Sequence, residues 1–163
     1  MPTVPRKVAR HNSDAARVHH LLMDFVRASG LLQPDQLVPG HQLSLSQAFA
    51  LHELDTGTPL SQRELGERLR LEKSSVSRMA AELERQGLLV RERDPANRRL
   101  YRLRLTEQGH AVHAGMRGAF HEQYRRWIAS MTRAEKQALL TGLPALVRAA
   151  REDGGASTGG PPR

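Results

Sequence analysis

The chain has 163 residues, 25 Lys plus Arg against 17 Asp plus Glu, a formal net charge of +8 and no cysteine. That length suits one compact domain with an ordinary core, and the missing cysteines exclude disulfides, thiolate zinc sites and cysteine redox switches. The positive surplus points to a polyanionic partner, most commonly nucleic acid, while aromatics at 4% disfavour a surface that stacks single-stranded bases.

No run approaches the roughly 18 apolar residues of a membrane-spanning helix, so no membrane partner is expected. Residues 1–12 form a basic arm with Arg6, Lys7 and Arg10 and no apolar stretch behind them. This is not a secretion signal, and a cytoplasmic protein is the expectation. Val18, Leu21, Leu22, Phe25 and Val26 recur at helical spacing. They predict a first long helix over 13–32, capped by Ser13 or Asn12. Pro34, Pro39 and Gly40 punctuate a loop, and Ser44 or Ser46 caps a second helix that ends near Asp55.

Thr56, Gly57, Thr58 and Pro59 form a turn, and Ser61 opens the next helix with Glu64 three residues later. This is a capping box, in which the Ser hydroxyl and the Glu carboxylate reciprocally satisfy backbone donors. Leu65 and Leu69 face inward, and a break follows at Arg70 and Leu71. The next helix spans about 72–86 and ends at Gly87, a left-handed cap. Residues 88–93 and 100–105 read as two strands. The segment Asp94-Pro95-Ala96-Asn97-Arg98-Arg99 between them is a turn-forming hairpin tip. A helix from Thr106 carries the stripe Val112, Met116, Phe120, Tyr124, Trp127 and Met131. Thr132 with Glu135 makes a second capping box, and the last helix carries Leu139, Leu140, Leu143, Leu146 and Val147. Pro144 lies inside that helix and is expected to kink or split it. Residues 151–163, rich in Gly, Pro, Ser and Thr, read as a disordered tail.

The middle of the chain is thus helix, turn, helix, strand, basic hairpin, strand. That order suits duplex DNA: one helix enters the major groove and the hairpin reaches along the backbone or into the minor groove. On the wheel of the helix at 72–86, Val76, Met79, Ala80 and Leu83 share the inner side. Ser74, Arg78, Ala81 and Arg85 take the outer side, with Ser75 and Ser77 flanking. Serine hydroxyls bond phosphates or base edges, and arginine forks onto guanine or phosphate. An ordinary solvated helix face shows the same pattern. The hairpin adds Arg91, Arg93, Arg98, Arg99, Arg102 and Arg104, six cations within 14 residues. Asp94, four residues before Arg98, can brace that guanidinium across the turn. An edge strand protected against aggregation would also be basic.

At these residues the chain resembles the multiple antibiotic resistance regulator (MarR) family. The strings are Leu60-Ser61-Gln62-Arg63-Glu64-Leu65, Ser74-Ser75-Val76-Ser77-Arg78, Gln86-Gly87-Leu88, Asp94-Pro95-Ala96-Asn97-Arg98-Arg99 and Leu105-Thr106-Glu107-Gln108-Gly109. The resemblance implies a mainly α fold with a small β-hairpin wing, a winged helix-turn-helix (43–105) flanked by dimerisation helices (13–32 and 106–150). It implies a recognition helix using Ser74, Ser75, Ser77 and Arg78, and a wing Arg98 in the minor groove braced by Asp94. With Gln62, Arg85 and Arg99 these make the expected DNA-binding set. It further implies a homodimer on a palindromic double-stranded operator, commonly a repressor released by a small-molecule effector. Leu21, Leu22, Phe25, Leu139, Leu140 and Leu146 are the expected dimer interface, and Phe25, Phe49 and Met116 line the expected effector pocket. Three residues depart from the family pattern: Arg70 replaces a small turn residue, Glu72 replaces a Ser or Asp cap and would repel phosphate, and Pro144 interrupts the last helix.

No cofactor and no metal site is expected. His110 and His113 are spaced to share a metal, as neighbours His19 and His20 are not, but surface histidines fit better, and His52 reads as a buried, satisfied histidine. Phe120, Tyr124 and Trp127 read as dimer core rather than pocket lining. No phosphate loop, cysteine nucleophile or Ser/His/acid set suggests an enzyme. The alternative function is an architectural DNA-binding or protein-interaction module without sequence preference or effector.

Overall fold

The computed structural model describes residues 6–31 and 41–156, with side chains over 13–31 and 41–153. The elements run α1 (Arg6–Ala28), α2 (Leu45–Leu54), β1 (Leu60–Ser61), α3 (Gln62–Leu69), α4 (Lys73–Arg85), β2 (Leu89–Arg93), β3 (Tyr101–Leu105), α5 (Glu107–Ala129) and α6 (Arg133–Ala156). The chain divides into two compact units, residues 1–119 and 120–163, with the boundary inside α5. None of the helices among the described residues is long and apolar enough to cross a membrane.

Local chemistry explains most boundaries. Ser44 caps α2 in a full capping box with Gln47, and Ser61 caps α3 in one with Glu64. Thr132 and Glu135 make the same reciprocal bonds before α6. The chain leaves α4 through Gly87, whose φ of 72° is the left-handed region that suits glycine. Thr106 then ties the sheet to that corner: its hydroxyl donates to the Gly87 carbonyl (2.6 Å) and accepts from the Gly109 N–H (2.9 Å).

The strands form an antiparallel sheet in the order β1-β3-β2. Leu60 pairs with Leu103 and Ser61 with Arg102, while β2 runs from Leu89 opposite Leu105 to Arg93 opposite Tyr101. The first unit's core joins Leu43, Leu51, Leu65, Val76, Leu83, Leu88, Leu89 and Leu103, all essentially without solvent exposure. Val76, Met79, Ala80 and Leu83 are buried as the wheel of α4 requires. Fully burying each such aliphatic side chain contributes about 1.5–3 kcal/mol before entropy is counted.

Several expectations change. Helix α1 begins at Arg6, not at Ser13, so part of the predicted arm is helical, and it ends at Ala28. A third strand, β1, was not expected. Helix α6 runs unbroken through Pro144 to Ala156, so residues 151–156 belong to it rather than to a tail. Proline's missing N–H leaves one turn short of a bond without ending the helix. The loop at Pro34, Pro39 and Gly40, residues 1–5 of the arm and the tail beyond Ala156 lie outside the described residues.

One close approach is severe. A Cβ placed on Gly109 would lie 2.1 Å from the Leu88 carbonyl oxygen and 3.0 Å from its carbon, both backbone atoms. Gly115, two turns further along α5, would meet nothing within 4 Å. Gly109→Ala is therefore expected to destabilise the protein by roughly 2–4 kcal/mol through forced backbone displacement. Gly115→Ala is expected to stabilise it by about 0.5–1 kcal/mol through helix propensity. Urea unfolding midpoints of the two variants check both signs.

Candidate nucleic-acid interface

Helices α3 and α4 form the helix-turn-helix, and β2 and β3 the wing. The turn between the helices holds Arg70 at φ 54°, the one non-glycine residue with positive φ among those described. Its left-handed conformation explains why a small residue is more usual there. Leu71 N–H closes the turn on the Gly66 carbonyl at 3.0 Å. Glu72 is the N-cap of α4 but makes no side-chain cap bond. Backbone bonds start the helix instead: the Ser75 and Val76 N–H groups donate to the Glu72 carbonyl at 2.9 and 3.0 Å.

Ser74, Ser77 and Arg78 are exposed and Ser75 is half-buried, so α4 presents the polar face expected of it. Arg85 is exposed too, but its guanidinium forks onto Glu82, with Nε 2.8 Å from Oε2. Glu82 also accepts from Gln86 at 2.7 Å. These bonds, Arg85 first, hold the Glu82 carboxyl down to about 2. Arg85 therefore presents a neutralised pair rather than a free cation.

The wing's arginines divide in the same way. Arg91 Nε lies 3.1 Å from Glu84, and Arg104 faces Glu92 at 3.3 Å. Arg93 donates to the Arg98 carbonyl (2.6 Å) and sits over the Tyr101 ring, 5.2 Å from its centroid. Arg102 is bound twice, through Nε to Asp94 at 2.6 Å and through Nη1 to Glu64 at 2.7 Å. Only Arg98 and Arg99 remain without a side-chain partner among these six. On the helix-turn-helix, Arg70, Lys73 and Arg78 are likewise uncommitted. A 480 Å³ cleft places Gln62, Lys73, Arg99, Tyr101 and Arg102 around one opening.

Asp94 does not brace Arg98. Its Oδ2 binds Arg102, and its Oδ1 accepts the Ala96 and Asn97 N–H groups at 2.8 and 3.2 Å. Four residues of spacing suggested Arg98, but the β2–β3 register brings in Arg102 from across the hairpin. The side chain of Asp94 is 6% exposed. Arg102 first, then the Ala96 N–H, hold its carboxyl below the usual 3.8. Hydrogen bonds from Ser61, helped by the Arg102 charge, likewise lower Glu64.

Elsewhere in the first unit, Asp55 at the end of α2 reaches α5. Its Oδ1 lies 2.7 Å from His110 Nδ1 and its Oδ2 2.7 Å from His113 Nδ1. His113 Nε2 lies 3.3 Å from His52 Nδ1. Burial raises the Asp55 carboxyl, but the His110 bond and the two imidazoles outweigh it and leave it lowered. His113 is 3% exposed whereas His52 is exposed, which reverses the expected burial of His52 and the expected exposure of His113. No group of three or more His, Asp or Glu among the described residues is arranged to hold a metal ion. His19 and His20 are exposed on α1.

Of the expected pocket residues, Met116 is buried while Phe25 and Phe49 are exposed. Leu21, Leu22 and Phe25 on α1, and Leu139, Leu140 and Leu146 on α6, are exposed apolar residues of the single chain.

A helix-turn-helix closed by a three-stranded sheet, with an arginine-tipped hairpin beside the second helix, defines a winged-helix regulator. Residues 41–100 match the model of the MarR family. A regulator described as an uncharacterised HTH-type transcriptional regulator from Bacillus cereus is 30% identical over 103 residues, 63% of this chain and 67% of its own length. The PcaV transcriptional regulator of Streptomyces coelicolor is 30% identical, with a TM-score of 0.63 over 83% of this chain and 97% of that one. FabT of Streptococcus pneumoniae, solved in complex with DNA, shares the fold at a TM-score of 0.73 and 20% identity, over 85% of this chain and 98% of its own. The chain belongs to the MarR family and is a transcription regulator, not an enzyme.

Because the folded pKa of Asp94 lies below its unfolded value, its contribution to stability is complete above about pH 3.8 and fades as pH falls through the folded value. Amide exchange at Ala96 and Asn97 is expected to be slow at neutral pH. In Asp94→Asn, compared at one neutral pH, it should speed up on the order of tenfold, the effect of about one lost charge-assisted bond. Separately, Glu72→Ser supplies the missing cap and is expected to raise stability by about 0.5–1 kcal/mol, read from the denaturation midpoint.

Proposed function

We propose that this regulator binds double-stranded DNA sequence-specifically as a homodimer on a palindromic operator, acts as a repressor and is released by a small-molecule effector. The observation that carries the DNA-binding reading is the distribution of free charge. Among the described residues of the helix-turn-helix and wing, Arg63, Arg68, Arg85, Arg91, Arg102 and Arg104 pair with acids, whereas Arg70, Lys73 and Arg78, and Arg98 and Arg99 at the wing tip, have no such partner. A cation already paired gains little from a phosphate, so the uncommitted ones mark the binding face.

In this reading Ser74, Ser75, Ser77 and Arg78 face the major groove, with Gln62 beside them. Arg98 enters the minor groove, Arg99 contacts backbone, and Asp94 shapes the tip. Arg85, held by Glu82, contributes after exchanging that partner for phosphate. The solved complex of FabT with DNA supports the mode by fold. The exposed stripe Leu21, Leu22 and Phe25 on α1, and Leu139, Leu140 and Leu146 on α6, support a second copy as the covering partner. Two-fold pairing then sets the recognition helices about one DNA turn apart, ~34 Å. An effector near Phe25, Phe49 and Met116 would favour a conformer with wrongly spaced helices and so withdraw the population from DNA.

Titration of labelled duplex from immediately upstream of the coding sequence, with excess random competitor at two salt concentrations, tests specificity. Binding that survives competitor supports the operator reading, while equal loss to any competitor supports an architectural binder instead. Arg78→Ala is expected to cost about 1–3 kcal/mol on the specific duplex and much less on random DNA. Arg98→Ala is expected to weaken both duplexes alike and to reduce the salt slope by about one. Unchanged affinity in both variants would sink the mode.

A further inference from the structure

Among the described residues three capping boxes start helices, and they are not chemically alike. At α2 the box uses Gln47, whose Oε1 accepts the Ser44 N–H at 2.7 Å. At α6 it uses Glu135, whose Oε2 accepts only from Thr132, through N–H and hydroxyl, both at 2.7 Å. At α3 the same oxygen, Glu64 Oε2, accepts the Ser61 N–H at 2.7 Å and the Arg102 Nη1 at 2.7 Å. The box itself needs an acceptor and not a charge, as Gln47 demonstrates within this protein. The charge of Glu64 serves Arg102.

Arg102 passes the constraint on. Its Nε holds Asp94 Oδ2, and Asp94 Oδ1 holds the Ala96 and Asn97 N–H groups that form the wing tip. The register makes the arrangement possible, since Ser61 lies directly opposite Arg102 across β1 and β3. From the cap of α3 to the base of Arg98 there is thus an unbroken series of short polar contacts. We infer that Glu64 is a positioning residue: it sets the attitude of the wing, and hence the reach of Arg98, from the start of the helix-turn-helix.

The inference rests on the DNA-binding reading of the wing, and the test separates the two. Glu64→Gln keeps the cap and removes the charge that Arg102 needs. It is combined with Arg98→Ala in a double-mutant cycle on a mixed-sequence duplex at low salt, where sequence-independent contacts dominate. Glu64→Gln alone is expected to weaken binding on the order of fivefold, and to have less than about a twofold effect when Arg98 is already Ala. Equal losses in both backgrounds, or no loss in either, overturn the inference. If Arg98→Ala alone changes nothing, the wing reading itself fails.

A second readout needs no DNA. In Glu64→Gln, amide exchange at Ala96 and Asn97 should accelerate while the Glu64-position amide, which donates to the Ser61 hydroxyl at 3.2 Å, stays protected. Unchanged exchange at the wing tip overturns the inference whatever the duplex shows.

Discussion

The half-buried Arg102 guanidinium is the joint of the DNA-binding lobe. It lies on β3, the central strand, with β1 on one side and β2 on the other. It therefore touches a carboxylate from each of two otherwise separate pieces, the cap of α3 and the tip of the hairpin. Without it Asp94, almost wholly buried, would be an uncompensated charge, which is costly in a low-dielectric site. The hairpin lacks the short Asn-Gly or Asp-Gly connection that would shape its own turn. Its seven-residue tip, 94–100, instead takes its form from Asp94, which substitutes a side-chain acceptor for backbone pairing at Ala96 and Asn97.

The same bookkeeping of partners changes the meaning of the net charge. A surplus of +8 says little about where a polyanion would settle. Three of the wing's six arginines, Arg91, Arg102 and Arg104, are folded into local pairs with Glu84, Glu92, Asp94 and Glu64. The exposed pair, Arg104 with Glu92, contributes little stability, at most about 1 kcal/mol. The larger effect of these pairs is to cancel field. What remains is a short set of cations without acid partners: Arg70 and Lys73 at the turn, Arg78 midway along α4, and Arg98 and Arg99 at the wing tip. Directed charge of that kind orients a ligand, whereas diffuse charge only attracts one.

Much of this was legible in the sequence, for reasons that are local. Ser61 with Glu64 and Thr132 with Glu135 lie within one helical turn of each other, so spacing alone identifies their bonds. The inward face of α4 follows from a 3.6-residue period, and Val76, Met79, Ala80 and Leu83 are buried accordingly. The failures are non-local. Sequence proximity pairs Asp94 with Arg98, but strand register decides the partner, Arg102. The two-residue strand β1 has no period to detect, and its pairing with β3 is a tertiary event. His52 and His113 exchanged their expected burial because Asp55 reaches α5 from the end of α2 and draws His113 inward. Proline chemistry predicts a kink or split at Pro144, and the helix is not split there.

The turn before α4 breaks two local rules at once. Arg70 is held left-handed, at a cost of about 1 kcal/mol for a residue with a Cβ, and Glu72 leaves the following helix without a side-chain cap. Packing must therefore place α4. Gly66 supplies it: a Cβ there would lie 3.1 Å from the Leu71 carbonyl and 3.2 Å from Val76, so α3 and the turn into α4 approach as closely as glycine allows. Val76, one turn into α4, is completely buried at that contact. The first turn of α4 is held by its own backbone, with the Ser75 and Val76 N–H groups on the Glu72 carbonyl. The placement of the helix rests on the apolar contact behind it.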